Sequence, residues 1–258
     1  MALASGHWVE KETAGVPPSP RHGHAMTVAG NIAFLFGGAS GDEDGPPLYL
    51  NDFYMITVLP DRVTWELMPQ KGDVPSGREG HTLCVVKGKL YLFGGSSHPE
   101  AKECLPGVYC FDVVTLTWGK LLCGAVSLRS LKHCAAALRE NIFVFGGIVG
   151  GALTNDLMMF STVSMHWMPI KTTGTLPSER FNHSCAVVGE QIFLFGGCSE
   201  DGSVLKDMYT LNTVCGGQSF TAHHDKDIYL FGGTFCNADG VMSPTNEIHK
   251  LSIGENKN

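Results

Sequence analysis

The stretch that decides the fold is "RHGHAMTVAGNIAFLFGGAS", residues 21–40, which runs from a basic, histidine-containing segment through an apolar run into a glycine doublet. Such a doublet belongs either to a phosphate-binding loop or to the end of a strand in a repeated unit. A phosphate-binding loop needs G-x-x-x-x-G-K-[ST], or G-x-G-x-x-G at the start of a helix. The residues after the doublet fit neither pattern, so we interpret the doublet as structural.

The same pattern recurs along the chain. Glycine doublets begin at residues 37, 94, 146, 196 and 232, with spacings of 57, 52, 50 and 36 residues. A short turn such as "GN" or "GK" divides the apolar residues before most doublets into two runs, which predicts a hairpin. A tryptophan also lies 28 or 29 residues before each of the first four doublets. The predicted unit has four short strands, of which the second is buried on both faces and the fourth carries the tryptophan.

These features resemble the kelch-repeat family, and the resemblance extends over residues 8–253. The residues that carry it are Gly37, Gly38, Gly94, Gly95, Gly146, Gly147, Gly196, Gly197, Gly232 and Gly233, together with Trp65, Trp118 and Trp167. A period near 50 residues with four strands in each unit is typical of propeller blades. The predicted fold is an all-β kelch propeller with about five blades of four-stranded antiparallel sheet, in a single domain over residues 1–258.

The predicted repeats cover approximately residues 20–70, 77–125, 132–175, 182–214 and 218–253. The fourth repeat is shortened, because only 36 residues separate its doublet from the next and no tryptophan follows its third strand. The N-terminal strand, residues 7–13, is expected to complete the last blade, because pairing the termini removes exposed sheet edges. We expect the ring to be open or irregular at the truncated fourth blade.

Composition excludes several classes of function. A formal net charge of −7 argues against a general nucleic-acid coat, which needs clustered Lys and Arg. No apolar run approaches the ~20 residues of a membrane span, and the first 20 residues lack the pattern of a signal peptide. The nine cysteines include no C-x-x-C pair, so neither a disulfide framework nor a zinc site is predicted. The predicted location is cytoplasmic, with peripheral association with endosomes or presence in the nucleus left open.

No catalytic residue, cofactor or metal site is predicted. The repeat histidines His24, His81, His133 and His183 recur once in each blade, too far apart around an axis for one ion with bonds of about 2 Å. Each is expected to be hydrogen-bonded within its own sheet. The sequence contains no G-x-S-x-G motif and no nucleophile with an adjacent base.

Four arginines stand just ahead of the repeat histidines. They are Arg21, Arg78 and Arg180, three residues before, and Arg129, four residues before. We predict that they gather at one mouth of the central channel as a rim that binds carboxylates or phosphates of a partner. The alternative is that each pairs with a local acid, such as Glu79 or Glu179, and braces its own loop. The longest insertions, residues 39–50, 96–107 and 234–245, are predicted to add specificity.

The predicted function is a non-catalytic scaffold that binds partner proteins through the loops of the propeller. The repeat format is most similar to stand-alone kelch proteins of the Rab9-effector and kelch-domain-containing type, which implies Rab-linked endosomal vesicle trafficking as one setting. The expected partner is an acidic peptide or a small GTPase. A substrate receptor of a cullin-type ubiquitin ligase is the alternative function, and a kelch-type enzyme is the second alternative. The sequence leaves the oligomeric state open.

Overall fold

The computed structural model describes residues 10–41, 46–98, 104–124 and 126–213, and the backbone of four later strands between residues 226 and 253. Its regular elements are all β-strands: β1 (Glu12–Gly15), β2 (Ala25–Ala29), β3 (Ile32–Ser40), β4 (Leu48–Val58), β5 (Arg62–Leu67), β6 (Lys71–Gly72), β7 (Glu79–Val86), β8 (Lys89–Ser96), β9 (Val108–Asp112), β10 (Thr117–Leu121), β11 (Cys134–Leu138), β12 (Asn141–Phe145), β13 (Ile148–Val149), β14 (Ala152–Leu153), β15 (Leu157–Ser161), β16 (His166–Pro169), β17 (Ser184–Val188), β18 (Gln191–Phe195), β19 (Met208–Asn212), β20 (Lys226–Phe231), β21 (Thr234–Cys236), β22 (Met242–Pro244) and β23 (Ile248–Ile253). Over the described ranges, no helix is long and apolar enough to cross a membrane.

Between residues 10 and 213, the described strands form four blades. Blade 1 contains β2 to β5 with β1, blade 2 contains β7 to β10 with β6, blade 3 contains β11, β12, β15 and β16, and blade 4 contains β17 to β19. The innermost strands β2, β7, β11 and β17 contact one another in that order, so the blades stand side by side around an axis. This arrangement confirms the predicted all-β kelch propeller.

The strand counts differ from four in three blades. In blades 1 and 2 a short segment adds a fifth, parallel strand: β1 pairs with β5 and β6 pairs with β10. In blade 4 the described residues form three strands, in agreement with the predicted truncation. Strands β20 and β23 pair antiparallel where the fifth repeat was predicted. The side chains of that repeat, and the doublet Gly232-Gly233, lie outside the described residues.

The end of the predicted closing strand, residues 12 and 13, takes a different place from the one predicted. Glu12 and Thr13, the last residues of the predicted closing strand, lie in β1 on the outer edge of blade 1. Gly15 and Gly72 occupy equivalent positions, because each lies nine residues before a repeat histidine. The strand that ends at Gly15 therefore pairs with β5 in the same way as the strand that ends at Gly72 pairs with β10. Residues 1–9, with Trp8, lie outside the described residues, so closure of the last blade by that part of the chain stays a prediction.

Tryptophans of the outer strands fill the space between neighbouring blades. Trp118 on β10 is 1% exposed, and its ring centroid lies 5.5 Å from Phe36 and 5.4 Å from Phe53, both in blade 1. Trp167 on β16 lies 5.2 Å from Phe93 of blade 2 in the same way. Each tryptophan therefore joins its own blade to the preceding one, and burial of such a side chain contributes roughly 3 kcal/mol or more.

The glycine doublets interlock with histidines of two blades. Gly94 and Gly95 have φ values of +75° and +80°, a region that side-chain-bearing residues rarely adopt. A Cβ atom on Gly94 would lie 2.5 Å from Cε1 of His133 in the next blade, and one on Gly95 would lie 2.8 Å from Cβ of His81 in its own blade. The doublets of blades 1, 2 and 3 thus each leave room for an imidazole ring of the next blade.

Candidate functional site

The loops that lead into the innermost strands form the candidate functional site. These leading loops are residues 19–24, 76–81, 128–133 and 178–183, and we call the surface they form the leading-loop face. Backbone hydrogen bonds tie them to one another: Gly80 N donates to Gly23 O (2.9 Å), Lys132 N to Gly80 O (2.8 Å) and Asn182 N to Lys132 O (2.9 Å). All four residues have left-handed φ values, between +55° and +64°. The loops of blades 1 to 4 are therefore held in fixed positions relative to one another.

Three of the four repeat histidines, His81, His133 and His183, contact a neighbouring blade, which corrects the prediction that each bonds within its own sheet. The Nε2 atom of His81 lies 3.1 Å from the carbonyl oxygen of Phe36 in blade 1, and that of His183 lies 3.0 Å from the carbonyl oxygen of Phe145 in blade 3. His133 instead contacts the hydroxyl of Thr82 in blade 2. The histidines are thus joints between blades.

Burial keeps these imidazole rings neutral. It lowers the pKa of His81 to about 3, with the nearby Arg78 acting in the same direction. Burial also lowers the pKa of His133 to about 3 and that of His183 to about 4. A neutral imidazole can be buried and hydrogen-bonded without the free-energy penalty of removing a charge from water. These contacts between blades are therefore stable near neutral pH.

Two of the predicted site arginines, Arg21 and Arg180, brace their loops through an acid on the third strand of the blade or directly before it. Arg180 is fully buried, and its guanidinium donates to both carboxylate oxygens of Asp207 at 2.6 and 2.9 Å. It also donates to the carbonyls of Ser178 and Gly196 at 3.0 Å. These hydrogen bonds hold the pKa of Asp207 below its usual value. Arg21 makes the equivalent contacts, including a 2.8 Å bond to Asp52.

Blades 2 and 3 each lack one half of this arginine–aspartate pair. Arg78 is 1% exposed and donates to the carbonyls of Ser76 and Gly94, but Gly107 stands at the position of the aspartate. The guanidinium lies over the ring of Tyr109 instead, 5.4 Å from its centroid. Burial lowers the pKa of Arg78, while Tyr109 and then Cys104 oppose that shift.

In blade 3 the aspartate is present and the arginine is not. Ser130 occupies the arginine position, and its hydroxyl donates to the carbonyl of Gly146 at 2.7 Å, as the arginines of the other blades do to the matching glycine. Asp156 stands where Asp52 and Asp207 stand in blades 1 and 4, and it is exposed. Blade 3 therefore carries a carboxylate on this side that its own leading loop does not neutralise with an arginine.

The four arginines do not form an open rim in this structure. Arg78 and Arg180 are buried, and the side chain of Arg21 is 4% exposed, so a partner cannot reach these guanidinium groups without displacing their present contacts. Arg129 is exposed. Arg21 and Arg180 brace their loops, as the alternative interpretation expected, but through Asp52 and Asp207 and not through the acids that it named. Glu79 lies 3.2 Å from His22 instead.

The first insertion extends a hairpin. Residues 38–40 of β3 continue to pair with residues 48–50 of β4, after a bulge between Phe36 and Gly38. The extension contacts the next leading loop, because Arg78 N donates to Leu50 O at 3.1 Å. Leu48, near the tip, is 62% exposed. Residues 42–45, 99–103, 237–241 and 245, and the side chains of the third insertion, lie outside the described residues.

The described residues contain no group of three or more His, Cys, Asp or Glu side chains placed to hold a metal ion. They do contain a cavity of about 410 Å³ between blades 3 and 4. Phe143, Phe145, Ile192, Leu194, Tyr209 and Leu211 supply much of its wall. This cavity was not predicted from the sequence, although the missing tryptophan of the fourth blade was a signal for it.

Comparisons with known proteins agree with the fold. A profile described as "KLHDC2/KLHL20/DRC7 Kelch-repeats domain" matches residues 41–216. Host cell factor 1 of Homo sapiens is 30% identical over 213 residues, covering 71% of this chain and 10% of that protein. Kelch domain-containing protein 3 of Homo sapiens is 29% identical over 205 residues, covering 74% of this chain and 51% of that protein. Rho GTPase-activating protein gacHH of Dictyostelium discoideum is 28% identical over 181 residues, covering 70% of this chain and 8% of that protein. The chain thus spans about half or less of each of these relatives.

Proposed function

Because this chain belongs to the family of kelch-repeat propellers, we propose that it is a non-catalytic platform that binds other proteins through its leading-loop face. The observation that carries this proposal is the fixed geometry of the leading loops. Backbone hydrogen bonds join the leading loops of neighbouring blades. Arginine side chains that are buried inside the blades hold three of these loops in place. Loops that are already ordered lose little conformational entropy on binding, which favours recognition of a partner.

We propose that the partner presents acidic groups to this face. Arg129 is exposed there and Lys132 is half-buried, whereas Arg78 and Arg180 are withdrawn into the blades. Positive charge at the rim of an interface mainly accelerates association and selects the partner by charge. An acidic segment of a partner protein is therefore the proposed ligand of this face.

Charge reversal on and off the face tests the proposal. Arg129→Glu is expected to reduce recovery of partner proteins in affinity purification, because it places a like charge opposite an acidic segment. Arg62→Glu is the matched control, since Arg62 is exposed on β5, which is not part of the leading loops. Equal recovery by Arg129→Glu, Arg62→Glu and the unmodified chain would contradict binding at the leading-loop face.

The cellular setting is a finer part of the proposal. The repeat format supports Rab-linked vesicle trafficking in the cytoplasm, with a small GTPase among the partners. The other setting is a cullin-type ubiquitin ligase, in which the propeller would receive substrates. Mass spectrometry of the purified partners distinguishes them, because trafficking proteins favour the first setting and cullin subunits favour the second.

A further inference from the structure

Two cysteines on the innermost strands of neighbouring blades face each other. Cys134 is the first residue of β11 in blade 3, and Cys185 lies on β17 in blade 4. Both side chains line the space between these two blades. The thiol of Cys185 is hydrogen-bonded to Cys134, and this bond, together with burial, holds the pKa of Cys185 well above its usual value. The two sulfur atoms are therefore in contact, and Cys185 is the donor, because the bond stabilises its protonated form.

The repeat explains why these two positions meet. Cys134 directly follows one repeat histidine, and Cys185 is the second residue after the next repeat histidine. At the joint between blades 1 and 2 the equivalent residues are Ala25 and Leu83, and both belong to the same buried cluster. The fold thus brings this pair of positions together where two blades meet. At the joint between blades 3 and 4 both positions hold a cysteine.

A backbone contact holds the two blades close together beside the cysteines. Asn182 N donates to Lys132 O at 2.9 Å, and these residues lie shortly before Cys185 and Cys134 in their chains of contact. Backbones joined by such a hydrogen bond lie about 5 Å apart. A disulfide joins residues whose Cα atoms are about 4.4–6.8 Å apart. Since rotation about one side-chain bond also moves each sulfur, the joint can accept a disulfide with little movement of the backbone.

From these contacts we propose that Cys134 and Cys185 form a reversible oxidation site, at which a peroxide joins the two sulfur atoms as a disulfide that ties blade 4 to blade 3. The proposal goes beyond the binding of partner proteins and does not depend on it. One thiolate attacks an oxygen of hydrogen peroxide, which leaves a sulfenic acid and releases hydroxide. The other thiol then attacks the sulfenic sulfur, the S–S bond forms and water leaves. Two thiols are thus oxidised, and one peroxide is reduced to two molecules of water.

The hydrogen bond between the thiols controls the rate of this reaction. The thiolate is the reacting form of a cysteine, and the raised pKa of Cys185 means that its thiol keeps its proton well above neutral pH. We therefore expect oxidation to be slow at neutral pH and faster as the pH rises. A small-molecule thiol such as dithiothreitol returns the pair to the reduced state, because it attacks one sulfur of the disulfide.

Peptide mapping of the full chain tests the pairing. The chain is treated with hydrogen peroxide at about pH 8.5, near the ordinary pKa of a thiol, and the remaining thiols are alkylated. Cleavage after Lys, Arg and Glu without reduction gives residues 133–139 and 181–190, each with a single cysteine. We expect these two peptides to appear joined, lighter by two hydrogen atoms than their sum, and to separate in dithiothreitol. No joined peptide, or a disulfide from Cys134 or Cys185 to a different cysteine, would overturn the proposal.

Serine variants locate the site. Cys134→Ser and Cys185→Ser each remove one sulfur, so the thiol that remains in either variant should be recovered alkylated or as an oxidised acid rather than in a disulfide. Cys123→Ser is the matched control, because the thiol of Cys123 donates to the carbonyl of Leu121 in its own blade at 3.7 Å. Its yield of the joined peptide should equal that of the unmodified chain. Thermal unfolding of the reduced variants checks that all three fold, and loss of the joined peptide in Cys123→Ser would contradict a specific pair.

Urea unfolding measures whether the disulfide ties the two blades together. Cys134 and Cys185 lie 51 positions apart (185 − 134), so a disulfide between them closes a long loop of the unfolded chain. The midpoint of unfolding should be higher by about 1 M urea in the oxidised chain than in the reduced chain. In Cys185→Ser, peroxide treatment should not raise the midpoint, which controls for oxidation elsewhere. An equal midpoint in the oxidised and reduced forms of the unmodified chain would show that the disulfide does not tie blade 4 to blade 3, and the proposal would be wrong.

Discussion

Mild acid should loosen the propeller at the histidine joints between blades. His81, His133 and His183 are buried and neutral when the chain is folded, and their pKa values of about 3, 3 and 4 lie well below the ordinary value of 6.5. In the unfolded chain these groups bind protons as the pH falls through 6.5, whereas in the folded chain they do not. Stability should therefore be highest above pH 6.5 and should fall as the pH drops towards 4.

The size of the effect follows from the shifts. At pH 5 each of these histidines favours the unfolded chain by about 2 kcal/mol, so the three together lower the free energy of unfolding by about 6 kcal/mol relative to high pH. That loss is comparable to the whole stability of many domains. Carboxylates with lowered pKa values, such as Asp207, lose their contribution to folding stability mainly at lower pH, because the ordinary pKa of an aspartate is 3.8.

Urea unfolding at pH 7 and pH 5, followed by tryptophan fluorescence, measures the loss. His81→Gln retains a side-chain hydrogen-bond donor towards the Phe36 carbonyl but cannot be protonated, so its loss between the two pH values should be smaller by about 2 kcal/mol. His98→Gln is the control, because His98 is exposed. A loss below about 1 kcal/mol in the unmodified chain, or equal losses in His81→Gln and the unmodified chain, would refute the reasoning.

Three substitutions test the remaining contacts by denaturant unfolding. Arg180→Met should lower the free energy of unfolding by about 3 kcal/mol, because it leaves buried carbonyls and a carboxylate without their hydrogen-bond donor. Arg129→Met, at an exposed position, should change it by less than about 0.5 kcal/mol. Equal effects of the two substitutions would contradict a stabilising role of the buried Arg180 contacts. Gly94→Ala should cost about 3 kcal/mol or more through strain and a clash, and Gly88→Ala, with a similar φ and open surroundings, only about 1 kcal/mol. Trp118→Ala should cost about 3–5 kcal/mol through the cavity it leaves between blades 1 and 2; a loss under about 1 kcal/mol would show that this interface does not depend on the indole.

The repeat unit was predictable because its signals are local. The apolar run, the turn and the doublet lie within about twenty residues, and hairpin pairing follows from such short-range patterns. The spacing of the doublets and of Trp65, Trp118 and Trp167 then fixed the blade architecture. The path of the N-terminal segment was not predictable in this way. Whether residues 7–13 join the last blade or blade 1 depends on how the chain crosses between blades.

The contacts of the site residues were harder to predict because their partners lie far away in sequence. Arg180 is paired with Asp207, 27 residues later, and His81 with the carbonyl of Phe36, 45 residues earlier. A sequence pattern shows that a residue recurs but not which neighbour it meets once the blades are side by side. The recurring "ND" and "KD" before the third strands, which include Asp52 and Asp207, were a usable signal for the arginine partners.

The departures from the repeat are more informative about binding than the repeat itself. A residue that makes the same contact in blade after blade, such as the first glycine of the doublet in blades 1, 2 and 3, is explained by the fold alone. Gly174 is different, because it keeps the left-handed conformation of Gly15 and Gly72 without the carbonyl that requires a glycine in those two places. Asp156 likewise keeps the carboxylate that Asp207 uses without the arginine. Both line or adjoin the same space between blades 3 and 4, Asp156 as part of the cavity wall and Gly174 between wall residues 173 and 175. Among the residues that the structure describes, the contact between blades 3 and 4 therefore differs from the contacts that join blades 1, 2 and 3.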